Sequence, residues 1–596
     1  MANRFTINAV ATRALLAGTA LFGAAAIANA QSELNSEVSG YDAIRIGEVS
    51  VADLSVSEAN RLALELPRNA PAVEQPKHRL PNGRPTSQPS PEMLHALPAT
   101  EPNVGVAAAK AQPNFTSVKG FTGIFEGNNV TVNHSELEPP DQGLAVHNNV
   151  AAEINNNVVR FFNASTGAAM TGPLAASAFF NAPGYDLTDT QVFYDPVSAR
   201  WFFVEVMSRS SPAFEGFAVA VSKTSNPLGS YWIYHVRAFS NTLSGCQSQD
   251  CFPDYHKDGY DTNAYYITAD LFSNVSGLFV ESAIFALPKS KLEAGVSFTY
   301  KRLDDPSDFV VQPSVPAPGE PFSTADNGSE FFLSAPGSAK LSILVVINSN
   351  DIVSSISNVK AFRSTFSSQS YGNGTVPSTQ PDVVGPNCSS VGVTSAPSLD
   401  GGYSAFQATV QKASGHLYAA LAFGAKDGTG LNRDVIAWFE VAPALTGTSV
   451  SGSIVHQGVV TPANGYSISY PAFGLNKTGA GAMGMTITNK SASAVGGYPS
   501  AAVLQFTGTA PTGSITVSGP GFTSDDGFSG CQGPGPGQVG RWGDYAAATV
   551  DSDTGFFYTA NEMIPNPTTF PRGQLANWGT FITQLHNASA LAESDH

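Results

Sequence analysis

Between about residue 115 and residue 585 one unit returns seven times: a short strand, a polar turn, and a second strand opened by aromatic residues. "GLAVHNNVAAEINN", "TQVFYDPVSARWFFVEVM" and "HKDGYDTNAYYITADLF" are clear copies, and "YAAATVDSDTGFFYTANEM" is the last. "FSTADNGSEFFLSAP", "FQATVQKASGHLYAALAF" and "AFGLNKTGAGAMGMTITN" are weaker ones. The turns fall near Asn148, Asp195, Asp261, Asp326, Lys412, Asn476 and Asp551, roughly 50–85 residues apart. Common propeller repeats take about 40–50 residues, so each copy has room for one four-stranded blade with long loops. Helical periodicity is nearly absent between the copies, which argues against βαβ units, and β-helix repeats are much shorter. The pattern predicts an all-β chain folded as a seven-bladed β-propeller over residues 113–588. The 56 glycines and 40 prolines, with only 13% charged residues, suit many short strands and turns.

The flanking segments read differently. Residues 1–30 have two arginines and no acid ahead of an apolar stretch and a small-residue site at "ANA", which predicts a signal peptide cleaved after Ala30 and a secreted or periplasmic protein. No later segment is long and apolar enough to span a bilayer. Residues 31–112 predict one amphipathic helix, with Ser57 as N-cap before "EANRLALEL", followed by a proline-rich extended or disordered arm. Residues 589–596 are a short tail. The net charge of −17, made more negative by loss of the leader, repels nucleic acid and anionic lipid.

Four cysteines, Cys246, Cys251, Cys388 and Cys531, predict two disulfides in an exported chain. The close spacing favours Cys246–Cys251 as a local pair, with Cys388–Cys531 then long-range, among three possible connectivities. None has metal-site spacing.

An aspartate stands six or seven positions before the turn in four of the units: Asp141, Asp189, Asp254 and Asp544. The first strand of a propeller blade lines the axial channel, so these residues are predicted at one level around its mouth. They come from units 1, 2, 3 and 7, which ring closure makes contiguous. Such an acidic arc suits Ca²⁺ with carbonyls and water or acid/base glycan chemistry in which crowding raises one pKa. It equally suits a set of caps on backbone N–H groups at the strand starts. In "GRWGDYAA", Arg541 is placed to bind an anionic group, Trp542 to stack on a sugar, and Tyr545 to line the site. "FPDYHK" adds Tyr255 and His256, the latter a candidate proton carrier. Glu205, Asp270 and Glu562 are candidates to complete a polar rim. "GAGAMG" has no following helix, and "DSDTG" lacks the later ligands of a calcium loop, so it reads as a hairpin turn.

Taken together, "EPPDQGLAVHNNV", "DTQVFYDPVSARWFF", "FPDYHKDGYDTNAYYIT" and "GRWGDYAAATVDSDTGFFYT" resemble motifs of exported bacterial propeller-like proteins, distantly similar to sialidase-type propellers. The resemblance covers about residues 115–585. It implies the fold and the export and brings no activity with it. Sialidases gather three arginines on a carboxylate and use a Tyr–Glu nucleophile pair, whereas only Arg541 stands at a mouth position here.

The reading that follows is a propeller that binds an extracellular ligand, a glycan or cell-surface component, at the mouth of blades 7, 1, 2 and 3. The alternatives are a polysaccharide lyase or glycoside hydrolase using the same arc, and an adhesion or assembly scaffold. The sequence does not choose the oligomeric state.

Overall fold

The computed structural model describes residues 31–39, 43–62, 72–74, 95–96, 103–108, 115–210, 213–238, 251–337, 339–372, 374–532 and 539–587. Residues 1–30, expected to be a leader, and the C-terminal tail 589–596 lie outside the described residues. The chain is all-β. Each turn read from the sequence falls between the first two antiparallel strands of a meander. Gln142–His147 turns into Val150–Asn155, Asp186–Asp195 into Arg200–Ser210, and Cys251–Tyr260 into Ala264–Ser273. Gln312–Pro316 precedes Ser329–Gly337, Val410–Ala413 precedes His416–Lys426, Tyr466–Leu475 precedes Ala480–Asn489, and Ala547–Val550 precedes Phe557–Met563. A parallel pairing of Gln312–Pro316 with Val410–Ala413 fuses two of the meanders into one eleven-stranded sheet.

The first strand of each meander packs against the first strand of the next, and Ala547–Val550 packs against Gln142–His147, so the succession closes on itself. This is a β-propeller-like arrangement. The last meander is completed by Phe115–Phe125, which pairs antiparallel with Gly579–Asn587.

Both faces of a sheet are covered in such a ring, which is why the second strands are apolar without alternation. In Arg200–Ser210, Phe202, Val204 and Val206 join a cluster with Tyr265 and Ile267 of the following meander. The intervening Trp201, Phe203 and Met207 join Phe161 and Phe179 of the preceding one. Successive side chains of one strand thus serve two cores.

The N-terminal segment, read from the sequence as one helix and a proline-rich arm, also supplies strands to the sheets. Ser32–Glu33 pairs with Lys360–Ser367, Asn35–Val38 with Lys301–Asp305, and Ile44–Ser50 with Ser230–Arg237, each as an added outer strand. Further short pairings place His95–Ala96 on His416–Lys426, Asn103–Val104 on Ser449–Pro462, and Val106–Ala108 on Pro511–Gly519. The segment therefore runs along the rim from sheet to sheet, covering outer edges that would otherwise present unpaired backbone groups. The helix is Val51–Leu62, beginning six residues before Ser57. Ser57 is not its N-cap, because its hydroxyl donates to Leu54 O at 2.9 Å within the helix. Ala72–Glu74 pairs parallel with Glu136–Glu138, and the rest of the proline-rich arm lies outside the described residues.

Cys388 and Cys531 form a disulfide across 143 residues, joining the short helices Pro386–Ser390 and Phe528–Cys531. Cys251 is also disulfide-bonded. Cys246, its expected local partner, lies outside the described residues.

The rim segment is anchored by Leu34, Ala43 and Val51, which are 6%, 0% and 1% exposed. Leu34 belongs to the core beneath its sheet, with Leu303, Phe332 and Leu344. Leu34→Ala is expected to cost about 2–3 kcal/mol in a denaturant melt. A loss below about 0.5 kcal/mol would mean that the segment is not docked as described.

Candidate functional site

The first strands carry a shared backbone device at one end. Asp141, Asp189, Tyr255, Val310 and Tyr470 all have φ between 42° and 55°, a left-handed conformation that non-glycine residues rarely adopt. The pairing of the first and second strands shifts register at Thr188/Thr190, Asp254/Lys257 and Ser469/Ala472. Gly543, with φ 86°, sits before the last such strand. The sequence repeat had aligned four aspartates. In the structure Asp141 and Asp189 hold the left-handed position, whereas Tyr255 and Gly543 hold it in their units, with Asp254 one residue before and Asp544 one residue after.

These kinks turn carboxylates across the sheet boundaries. Asp141 is fully buried; its Oδ1 accepts the Asp544 N–H at 2.6 Å and its Oδ2 accepts from Asn156 Nδ2 at 2.8 Å. Asp189 accepts the Tyr255 N–H at 2.5 Å. Each aspartate therefore caps the backbone of a neighbouring unit. Oxygens of Asp141, Asp189 and Asp544 all lie within 4.8 Å of one another. Burial pushes Asp141 up to about 7, with the Asp544 charge adding to it. Burial, then the charges of Asp254 and Asp141, pushes Asp189 well above the usual carboxylate range.

Beneath them lies an aromatic floor. Tyr255 packs edge-on against Tyr403 and Tyr545 at 5.6 and 5.7 Å. The Lys257 ammonium sits 3.4 Å from the Tyr545 ring centre and 4.1 Å from that of Tyr255, an arrangement of cation–π type. Burial lowers Lys257 to about 8 against the opposing charges of the aspartates. Tyr255 donates its hydroxyl to Asp544 O at 2.7 Å, and the Tyr545 hydroxyl accepts the Thr190 N–H at 2.6 Å. Arg541 is 6% exposed and donates to Asp544 Oδ2 at 2.8 Å. Burial disfavours its charge, but Asp544 and Asp141 outweigh that and hold it protonated.

Several roles read from the sequence are corrected by this burial. Trp542 is 1% exposed and packs among Leu399, Tyr470, Ala472 and Ile564, so it presents no stacking face. Arg541 and Tyr545 are interior, 6% and 1% exposed, the first held on Asp544 and the second on the Thr190 N–H. His256 is fully buried, neither ring nitrogen has a hydrogen-bond partner, and burial lowers it well below its ordinary value. Its Nε2 stands 3.7 Å from Asp258 Oδ1, beyond hydrogen-bond distance, so it has no hydrogen bond along which to relay a proton. Glu205, Asp270 and Glu562 are buried within the sheets, not set on a rim.

The carboxylate cluster as bonded does not fit Ca²⁺. That ion takes six to eight oxygens, but both Asp141 oxygens, one of Asp189 and one of Asp544 already accept hydrogen bonds. Arg541 and Lys257 bring two positive charges to the same place. Asp254 is not in the close trio. A second grouping, His147, Asp551 and Asp553, lies at the other end of the first strands, around the "DSDTG" turn, where Asp551 accepts from Asp553 N–H and Thr554 Oγ1.

Above the trio opens a cleft of about 550 Å³ between the first three meanders, and Asp189, Asp254 and Asp544 line it. Asp186, Ser208 and Glu215 form a row across three adjacent strands on one wall. Phe252 and Asn274 stand on the other. Glu215 is pushed up to about 7 by burial, against a hydrogen bond from Asn274. The sequence reading missed Asp186, Glu215, Tyr185 and Phe252. Asp186 and Phe252 stand at the starts of first strands, with Tyr185 just before one, and Glu215 near the start of a third strand, none of them at a position the repeat marks.

No family model matches the chain, and no curated protein matches it. Among solved structures it is similar to an ulvan lyase of polysaccharide lyase family PL25 bound to -[GlcA(1-4)Rha3S]-. Identity there is 10% over 79% of this chain and 95% of that one, with a TM-score of 0.31. It is similar to the sialidase of Trypanosoma rangeli in complex with sialic acid, at 9% identity over 82% and 61% and a TM-score of 0.32. A third is an exo-β-1,3-galactanase from Clostridium thermocellum, at 11% identity over 75% and 93% and a TM-score of 0.27.

The buried acids set the pH behaviour of the fold. Burial raises Asp270 and Glu330 to about 8, and Glu153 and Asp434 to about 7. The folded chain thus holds protons that the unfolded chain releases above about pH 4. That stabilisation is complete below about pH 4 and is lost as pH rises through 7 to 8. His235, lowered by burial to about 4, opposes this only below about pH 6.5. The melting temperature is expected to be several degrees higher at pH 5.5 than at pH 8.5 by calorimetry. An unchanged or rising value would contradict the burial of these acids.

Proposed function

We propose that the chain is an exported seven-bladed β-propeller that binds an extracellular ligand, a glycan or cell-surface component, at the mouth formed by blades 7, 1, 2 and 3. The seven first strands would be the innermost strands of the blades, with the parallel contact between the fourth and fifth an incident of their close approach. The observation that carries the reading is the cleft above the aspartate trio. Its lining is rich in amide, hydroxyl and carboxylate groups, among them Asn133, Ser135, Asn157 and Asp254, with Tyr185 and Phe252 as aromatic surfaces. Convergent polar groups beside a few aromatic faces suit a sugar, whose hydroxyls need partners and whose C–H faces need apolar cover.

Binding is favoured over hydrolysis by the carboxylate spacing. Glycosidase pairs stand about 5–5.5 Å apart in retaining enzymes and about 6.5–9.5 Å apart in inverting ones. The trio is tighter, within 4.8 Å, and Asp141 is committed to two donors.

The test is a glycan array probed with the protein lacking residues 1–30, beside Asp254→Asn, together with product assays on a polysaccharide panel. Retention of a defined glycan set by the wild type, weakened about tenfold or more in the variant, with no product released, is expected. Release of unsaturated or reducing-end products would establish the enzyme instead. Recovery of a protein partner with no glycan retained would establish the scaffold.

A further inference from the structure

The sheet that supplies one wall of the cleft has a second face. In an antiparallel pair, residues directly opposite share a face and successive residues alternate. Asp186, Ser208 and Glu215 line the cleft together with Asn274 of the third meander. Arg209 stands opposite Phe214, and Phe214 belongs to the core shared with the first meander. Arg237 lies opposite Gly216, two residues on from Phe214, and so joins that same face. Arg209, Phe214 and Arg237, with Tyr185 and His235, line a pocket of about 200 Å³ beside Ile44 and Ile46 of the rim strand. That is several times the roughly 30 Å³ share of one water molecule. The Arg209 guanidinium lies 3.9 Å from the Tyr185 ring centre, and that of Arg237 lies 5.1 Å from the Phe214 ring centre. Among the described residues the pocket lining includes no aspartate or glutamate. Tyr185 also lines the cleft, so one ring borders both cavities.

We infer that this pocket receives an oxyanion, the carboxylate or sulfate of an acidic sugar, while neutral residues of the same glycan lie in the cleft. The inference rests on the glycan-binding reading of the cleft and narrows it to glycans that carry isolated anionic groups. Stacking engages the face of a guanidinium, whereas a carboxylate or sulfate is met by its planar N–H edge. The aromatic rings against the two arginines steady that edge and offer apolar cover to the sugar that carries the anion. His235 adds a ring and no charge, since burial lowers it to about 4. The acids of the cleft, Asp186, Asp189, Glu215, Asp254 and Asp544, disfavour an anion on their side of Tyr185. The difference in charge across one ring therefore sets which way the glycan lies. The protein's net charge of −17 disfavours a densely charged polyanion, which leaves single anionic substituents on an otherwise neutral chain.

The experiment is an array of xylo-, galacto- and gluco-oligosaccharides, each present as the neutral chain, with one uronate and with one sulfate. It is probed with the protein lacking residues 1–30 and with its Arg209→Gln and Arg237→Gln variants, the melting temperature of each being checked. The wild type is expected to hold the uronate or the sulfate member of at least one set about tenfold or more tighter than its neutral member. Which of the two it holds tells carboxylate from sulfate. The preference should shrink on raising salt from about 0.1 to about 0.5 M. It should fall to near parity in each variant, with the neutral member held as before. Arg209 is the penultimate residue of its strand, and its variant keeps the test readable if Arg237→Gln fails to fold. Neutral members held equally or tighter, or a preference that survives substitution in the folded protein, overturn this inference and leave the glycan-binding reading standing. An array empty for every member removes that reading and the inference with it.

Discussion

The antiparallel pairing of Phe115–Phe125 with Gly579–Asn587 is the constraint on which the rest of the structure depends. It completes the last meander with a strand from before the first one, and so joins the two ends of the repeat. Side chains reinforce it. Glu153 of the first meander accepts the Ile124 N–H at 2.7 Å. Glu136 accepts the backbone N–H groups of Gln574, Leu575 and Ala576. The Trp578 indole donates to Leu137 O at 2.7 Å. Closure removes the exposed edge between first and last sheets, and it brings Asp141 to the Asp544 N–H across 403 residues.

The mouth follows from that closure. Six of the seven units carry a left-handed residue in or near the start of the first strand, and at two of them, Asp141 and Asp189, the carboxylate reaches across the boundary to the adjacent unit. Such strain persists only where the surroundings over-determine it. Here the surroundings are backbone N–H groups of the neighbouring units, a buried ammonium and a packed set of tyrosines. The aspartates are therefore first a structural stitching. What they leave open is a cleft on their outer side and one buried oxygen, Asp544 Oδ1.

Much of the fold was legible because the repeat is written in residue types that physics forces. The turn residues Asn148, Asp195, Asp261, Asn476 and Asp551 stand at or beside the hairpins, and the aromatic-rich second strands are those that serve two cores. The rim strands were not legible. Ser32–Glu33, Asn35–Val38 and Ile44–Ser50 are short and polar, and their pairing is decided by the edges they meet, not by their own periodicity. In the site, the aspartates could be read from their spacing, but burial could not. "RWGDY" reads the same whether Trp542 faces solvent or a packed interior. Asp186, Glu215 and Phe252 meet only because two meanders lie side by side, a long-range relation that leaves no local pattern.

The central claim is that Asp141 and Asp189 hold neighbouring units together through the amides of Asp544 and Tyr255. Site-resolved hydrogen exchange reads those amides directly. Both are expected to be protected in the wild-type protein to the level of the sheet cores. Asp141→Ala should release the Asp544 amide while leaving that of Tyr255 protected. Rapid exchange of both amides in the wild type, or protection of Asp544 unchanged in the variant, would contradict the account.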